Sequence, residues 1–169
     1  VRSLLSSLTL MSWDMASLSK VMAFSTRVRP WVLSGGVPVV VLRGPGRGPA
    51  AARNVGWRAA TATWVAFLDD DCAPRLDWLD RMFDVQRDHG ADIVTSGVRY
   101  VTPPEAPTWM HQDNLMDDFD PYGDGDVPEH GCMANVLLRS DWFRTHTDVR
   151  FARHLGETGG EDMMFLDLA

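Results

Sequence analysis

Three adjacent carboxylates, Asp69, Asp70 and Asp71, follow directly on an apolar run at residues 63–68. Neighbouring negative charges repel one another, so a strand end that carries three of them favours a bound cation. Carboxylate oxygens with open coordination positions suit Mg²⁺ or Mn²⁺, ions that also bind substrate phosphates. A solvated acidic turn in front of a helix is the alternative interpretation.

A second segment, residues 44–53, has the composition of an anion-binding loop. Its glycines let the backbone approach a ligand, and a helix expected from Pro49 onward presents unpaired amide groups to an anion. Arg47 and Arg53 add guanidinium donors that match phosphate oxygens. The segment has neither the Lys-Ser/Thr ending of a Walker loop nor the dinucleotide-binding spacing, and a simple connecting loop is the alternative.

A third segment places two acids, Glu161 and Asp162, behind the glycine pair Gly159-Gly160. The glycines permit an unusual backbone path, and the acids open a predicted helix. A carboxylate exposed at a helix start can serve as a general base. Plain stabilisation of the helix N-terminus by acidic residues is the alternative.

The elements that must position these segments alternate along the chain. Apolar runs predict buried strands at residues 37–42, 63–68 and 92–98. Helix formers at residues 50–60 predict one intervening helix, and the second lies between residues 77 and 90. This order predicts an α/β fold with a largely parallel sheet, in which ligands bind beyond the carboxyl ends of the strands.

The remaining elements are expected outside that core. Helical spacing of Leu and Met predicts one or two amphipathic helices in residues 1–36. A further strand is expected at residues 132–138, Ser140 should cap a short helix, and a last helix should begin near Glu161. The length of 169 residues favours a single domain, residues 1–169. The second helix should turn four apolar side chains toward the core: Leu76, Leu79, Met82 and Phe83.

Composition excludes several classes of function. The net charge is −7, so binding to a nucleic-acid backbone is not expected. No apolar run is long enough for a membrane span. Cys72 and Cys132 are too few and too far apart for a zinc signature, and we interpret them as reduced, buried thiols of a cytoplasmic protein. The oligomeric state is not indicated.

The stretch between Arg99 and Arg139 contains no Lys or Arg and many acids. Part of it, from Asp118 to Glu129, resembles a calcium-binding loop in its spacing, but Tyr122 occupies a ligand position and no helices are predicted beside it. We therefore interpret residues 99–131 as a long, solvated acidic loop beside the site.

Taken together, the three segments resemble those of family 2 glycosyltransferases of the GT-A fold. The sequence GRGPAAARNVGWRAATATWVAFLDDDCAP resembles the family signature, in which an Ala-Arg-Asn helix precedes a strand that ends in an Asp-x-Asp motif. Downstream, CMANVLLR and TGGEDMMF resemble the acceptor-side strand and the Glu-Asp motif in order and spacing. The resemblance covers residues 37–169 and implies a GT-A-like three-layer sandwich, incomplete or diverged within residues 1–36.

The resemblance also implies roles for individual residues. Asp69 and Asp71 occupy the Asp-x-Asp positions and would hold Mg²⁺ or Mn²⁺. The nucleotide-sugar donor would contact Asp69 and three further residues: Arg53, Asn54 and Asp70. Asp162 matches the catalytic base, and Glu161 beside it would contact a saccharide or other hydroxyl acceptor.

The implied reaction is sugar transfer with inversion, since one base opposite the leaving group suffices for a single displacement. Two alternatives remain open at this point. The chain could be a catalytically inactive GT-A-like remnant that binds a partner or a sugar. It could also be a different metal-dependent phosphate enzyme that needs no sugar acceptor.

Overall fold

The computed structural model describes most of residues 48–167 and three short strands before them. The described residues are 8–13, 20–24, 39–43, 48–69, 72–99, 101–111, 122–123, 125–129, 131–146, 150–155 and 158–167. Asp70 and Asp71 lie outside them, as do most of residues 1–36 and part of the acidic loop.

Six strands and four helices are formed by the described residues. The strands are β1 (Leu8–Trp13), β2 (Lys20–Phe24), β3 (Val39–Arg43), β4 (Trp64–Asp69), β5 (Ile93–Thr95) and β6 (Asn135–Arg139). The helices are α1 (Pro49–Ala59), α2 (Trp78–His89), α3 (Ser140–Thr145) and α4 (Glu161–Asp167). Short 3₁₀ turns occur at Thr108–His111 and Arg153–Leu155.

The strands form a four-stranded sheet with the order β1-β4-β6-β5 and a separate pair, β2-β3. All three pairings in the larger sheet are antiparallel, whereas β2 and β3 are parallel. The expectation of a largely parallel sheet is therefore not confirmed by the described strands. Because β4 and β5 are both antiparallel to β6, they run in the same direction across α2. The β4-α2-β5 unit therefore has the strand–helix–strand order predicted, but β6 lies between β4 and β5 in the sheet.

The helices predicted for residues 1–36 are wrong wherever the structure describes that segment. Leu8–Trp13 is a strand that pairs with the whole of β4, from Leu8 opposite Asp69 to Trp13 opposite Trp64. Lys20–Phe24 is a strand that pairs with β3. Helical spacing of apolar residues is only a local preference, and the unpaired edges of β4 and β3 supply backbone hydrogen-bond partners that override it.

Helices cover both faces of the larger sheet. Val65 and Phe67 of β4 belong to one apolar cluster with residues of α1, α3 and α4, while Ala66, between them, packs in a second cluster with Met82 of α2. Side chains alternate between the faces of a strand, so β4 is a central strand buried on both sides. The layered α/β arrangement follows from this double burial.

Several local predictions are confirmed. Pro49 opens α1, Asp77 precedes α2, and Gly90 ends α2 in the left-handed conformation with φ 63°. Leu79, Met82 and Phe83 pack in the second cluster, but Leu76 is fully exposed because it precedes the first turn of α2. The single-domain assignment stays a prediction.

The asparagine Asn135 explains why β5 is shorter than predicted. Its side-chain amide donates to the carbonyls of Ser96 (3.2 Å) and Gly97 (3.3 Å), so the chain leaves the strand ladder after Thr95. The side-chain carbonyl of Asn135 accepts the Trp78 indole N–H at 2.6 Å. Asn135 therefore ties the end of β5 to the start of α2.

The serine expected to cap α3 has another role. Ser140 is the first residue of α3, and its hydroxyl donates to the carbonyl of Ala62 instead of capping the helix. Its amide donates to the carbonyl of Thr63 at 2.8 Å. Ser140 thus fastens α3 to the segment that enters β4.

The packing of the larger cluster is tested by substitution of Phe143. It is 2% exposed, stacks on Trp57 with ring centroids 4.4 Å apart and contacts Phe67 and Phe165. Phe143→Ala should lower the free energy of unfolding by about 3–5 kcal/mol, because the cavity cannot fully collapse. Urea denaturation measures the loss. Leu76→Ala is the control and should change stability little; equal effects of the two variants would contradict the packing described.

Candidate active site at the end of strand β4

The carboxylate of Asp69 lies where β4 leaves the sheet. Its amide donates to the carbonyl of Ala134 at 3.3 Å, which extends the pairing with the segment before β6 by one step. Its backbone carbonyl accepts the amide of Cys72 at 3.1 Å. The Asp69 side chain is 31% exposed. It therefore stands at the rim of the sheet with access to solvent.

Arg53 links Asp69 to the start of α4. It projects from α1, is 3% exposed, and donates from Nη2 to Asp69 Oδ1 at 3.2 Å. Its other terminal nitrogen, Nη1, forms a buried ion pair with Glu161. The Phe151 ring lies 5.7 Å from the guanidinium carbon. One guanidinium thus holds two carboxylates that are far apart in the sequence.

The start of α4 depends on the glycine pair predicted from the sequence. Gly159 and Gly160 have φ values of 85° and 89°, a region that side chains with a Cβ rarely adopt. The helix then begins with Glu161, which is 4% exposed, and Asp162, which is half-buried. The Asp162 carboxylate accepts the amide of Met163 at 2.9 Å. Consecutive acids of one helix turn therefore face different surroundings.

Cys132 is a site residue that the sequence analysis missed. Desolvation raises the pKa of its thiol most, and the Asp162 and Asp69 carboxylates raise it further, whereas Arg53 lowers it. These contributions place Cys132 within electrostatic range of both acidic motifs. The expectation of two buried thiols is wrong, because Cys132 is exposed and Cys72 half-buried. Cys132 precedes β6, and the antiparallel pairing of β6 with β4 would have indicated its position.

Asn54, expected to contact the donor, is used internally. Its side-chain NH₂ donates to the backbone carbonyl of Phe151 at 2.8 Å, and its side-chain carbonyl accepts the backbone amide of Phe151 at 3.3 Å. Both groups are buried, so this pair of bonds fixes the segment before α4 against α1. Contacts of Asn54 and Arg53 with a nucleotide stay predictions.

The described residues supply part of a cation site. Among them, no group of three or more His, Cys, Asp and Glu side chains is arranged to hold a metal ion. Asp69 fits a hard cation in its chemistry and exposure, since it offers carboxylate oxygen at a rim open to solvent. The other two aspartates of the motif lie outside the described residues. The calcium-like spacing falls partly outside them too, and within it Asp126 accepts the Gly123 amide at 2.7 Å.

Comparison with known proteins decides the family. The profile described as glycosyl transferase family 2 matches residues 30–147. The chain belongs to this family. Membership implies the GT-A fold, in agreement with the α/β layers. No solved structure gives a significant match, and no helix in the described part of the chain has the length and apolar character of a membrane span.

Three curated relatives of this family-2 chain have informative names. It is 36% identical to the succinoglycan biosynthesis protein ExoM of Rhizobium meliloti over 114 residues, 68% of this chain and 36% of that protein. It is 56% identical over 36 residues to the pre-mycofactocin glycosyltransferase of Mycobacterium tuberculosis, 21% of this chain and 8% of the relative. It is 37% identical over 57 residues to glycosyltransferase AglE of Haloferax volcanii, 34% and 19% of the two chains. The chain thus spans at most about a third of the length of these relatives.

The thiol of Cys132 gives a test of the site's electrostatics. Only the thiolate is alkylated readily, and a raised pKa leaves less thiolate at a given pH, so alkylation should need a higher pH than for a free cysteine. Asp162→Asn removes one of the charges that raise this pKa and should therefore speed alkylation at pH 8. Mass spectrometry of the Cys132 peptide measures the rate. Glu105→Gln, in the exposed stretch at residues 101–111, is the control; equal rates in both variants would show that Asp162 does not face the thiol.

Proposed function

We propose that this chain is the core of a metal-dependent glycosyltransferase that moves a sugar from a nucleoside-diphosphate donor to an acceptor hydroxyl with inversion. One observation supports this most directly: Arg53 contacts both Asp69, in the expected donor motif, and Glu161, next to the expected base. Two motifs separated by about half the chain therefore meet in one cluster, as a two-substrate reaction requires.

The donor side is proposed at the end of β4. The carboxylates of Asp69 and Asp71 would hold Mg²⁺ or Mn²⁺, and Asp70 with Asp69 would orient the nucleotide sugar. When bound, the ion stabilises the negative charge that develops on the departing diphosphate. The exposed rim position of Asp69 supports this role, because its carboxylate oxygens are accessible from solvent.

The acceptor side is proposed at the start of α4. The acceptor oxygen attacks the anomeric carbon, the bond from that carbon to the diphosphate oxygen breaks, and the hydroxyl proton passes to the Asp162 carboxylate. Asp162 is only half-buried, and its carboxylate and that of Asp69 both raise the pKa of the Cys132 thiol. In the proposed reaction Asp162 acts on the side of the sugar opposite the departing diphosphate. A single base of this kind implies inversion.

The names of the relatives support sugar transfer without defining the substrates. One relative is named for succinoglycan biosynthesis and two as glycosyltransferases. We extend from them only the reaction class, with a saccharide or another hydroxyl compound as acceptor. The expected cytoplasmic location stays a prediction, and no described observation favours the inactive alternative.

The metal role is tested at Asp71. Asp71→Asn should weaken Mn²⁺-dependent binding of a nucleoside diphosphate by at least about tenfold, since a neutral amide is a poorer ligand for a hard cation. Calorimetry with UDP, GDP, ADP, CDP and dTDP, with and without Mn²⁺, measures the affinity. Asp92→Asn, at an exposed ion pair with Arg139, is the matched control. Unchanged Mn²⁺-dependent affinity in Asp71→Asn would show that this aspartate is not a metal ligand.

The base is tested at Asp162. Asp162→Asn keeps the shape of the side chain but cannot accept the proton, so kcat for transfer should fall by about 10²–10⁴-fold. Donor affinity should stay within a factor of about two, because the variant leaves the β4 end intact. A transfer assay and donor titration measure the two quantities. Normal transfer by Asp162→Asn would rule out the assignment.

A further inference from the structure

Arg53 and Glu161 were expected to contact the donor and the acceptor, respectively, but in the structure they form an ion pair with each other. Both partners are buried, at 3% and 4% exposure, while Asp69, the second partner of Arg53, reaches solvent. A buried carboxylate that is paired with Arg53 is poorly placed to touch an acceptor. Glu161 therefore differs from Asp162, which follows it in the same helix turn and is half-buried.

The pair is costly to form, which indicates a specific use. Burying two charges loses their hydration, and the attraction between them offsets this only with good geometry. Within the described residues the Arg53 Nε is also buried without a hydrogen-bond partner. Arg53 thus gives up one donor so that its two terminal nitrogens reach two different carboxylates. A lysine, with one nitrogen, could not replace this bridge.

The helix that carries Asp162 has few other constraints at its start. The described part of α4 is Glu161–Asp167, and two glycines with positive φ precede it. Side chains at both of its ends hold it: Phe165, fully buried, and Leu166, partly buried, pack in the larger cluster, and Glu161 pairs with Arg53. The Glu161 contact is the one next to Asp162.

We propose that Arg53 and Glu161 form a buried brace that fixes Asp162 relative to Asp69. In this arrangement Glu161 is a positioning residue that acts through Arg53 and does not touch the acceptor. Arg53 holds the donor carboxylate with one nitrogen and the base helix with the other. The proposal rests on the proposed function for its catalytic consequence, but the brace itself is a property of the fold.

Hydrogen exchange tests the brace without any substrate. In Glu161→Gln and Arg53→Lys, amides of α4 such as Met164, which donates to the Gly160 carbonyl at 3.1 Å, should exchange about tenfold faster or more, because the local helix opens more easily. Amides of β4 and β6 should change much less. Asp92→Asn is the control. Wild-type exchange rates for α4 amides in both variants would overturn the proposal. An equal rise in the exchange rates of α4 and of the whole sheet would also overturn it, because the ion pair would then stabilise the fold as a whole.

Kinetics separate the brace from direct acceptor contact. A displacement of the base by about 1 Å can cost up to about 100-fold in rate, so Glu161→Gln should lower kcat at least about tenfold with donor affinity and acceptor KM nearly unchanged. Arg53→Lys should impair donor affinity as well, since Asp69 loses its contact with the guanidinium. A raised acceptor KM with normal kcat in Glu161→Gln would overturn the proposal in favour of acceptor contact. Absence of transfer by the wild-type chain would count against the proposed function, while the exchange experiment would still decide on the brace.

Discussion

A single guanidinium shared between two carboxylates organises this molecule. Arg53 is almost fully buried, yet its partners come from the end of β4 and from the start of α4. A buried charge must be paired, so any arrangement of the chain that separated these elements would leave Arg53 or Glu161 unpaired at high cost. The ion cluster therefore specifies where α4 docks, and α1 serves as the common support of both motifs.

The apolar layers explain why such a cluster can exist at the rim of the sheet. β4 is buried on both faces, with Phe67 in the larger cluster and Ala66 in the smaller one. The aromatic rings of Phe143, Phe151 and Phe165 pack against one another beneath Arg53. This packing supplies the dry environment on one side of the guanidinium, while the exposed edge of Asp69 supplies contact with solvent on the other. The same cluster is thus tightly packed on one side and open to solvent on the other.

The sequence predicted those parts of the fold that depend on local signals. Pro49, Asp77 and Gly90 mark helix boundaries by their own backbone preferences, and the apolar run before Asp69 required a buried strand. Strand pairing is a non-local property, so the position of β6 between β4 and β5 and the strand at Leu8–Trp13 were not evident. The same limit applies at the site. The motifs were recognisable by composition, but Cys132 and the burial of Glu161 depend on which strands and helices become neighbours.

The insertion of β6 has a consequence for how the chain acquires its structure. Leu68 pairs with Asn135, and Arg53 pairs with Glu161 across 108 positions, so the decisive contacts close very long loops. Contacts of this separation form slowly, because the entropy of loop closure is lost before they stabilise anything. α1 and α2 can form while the chain is still being synthesised, whereas the ion cluster of Arg53, Asp69 and Glu161 is completed only after α4 has been synthesised. Among the described residues, Asp69 is the ion-pair partner that Arg53 has in its own part of the chain, which makes late assembly of the full ion cluster the expected order of folding.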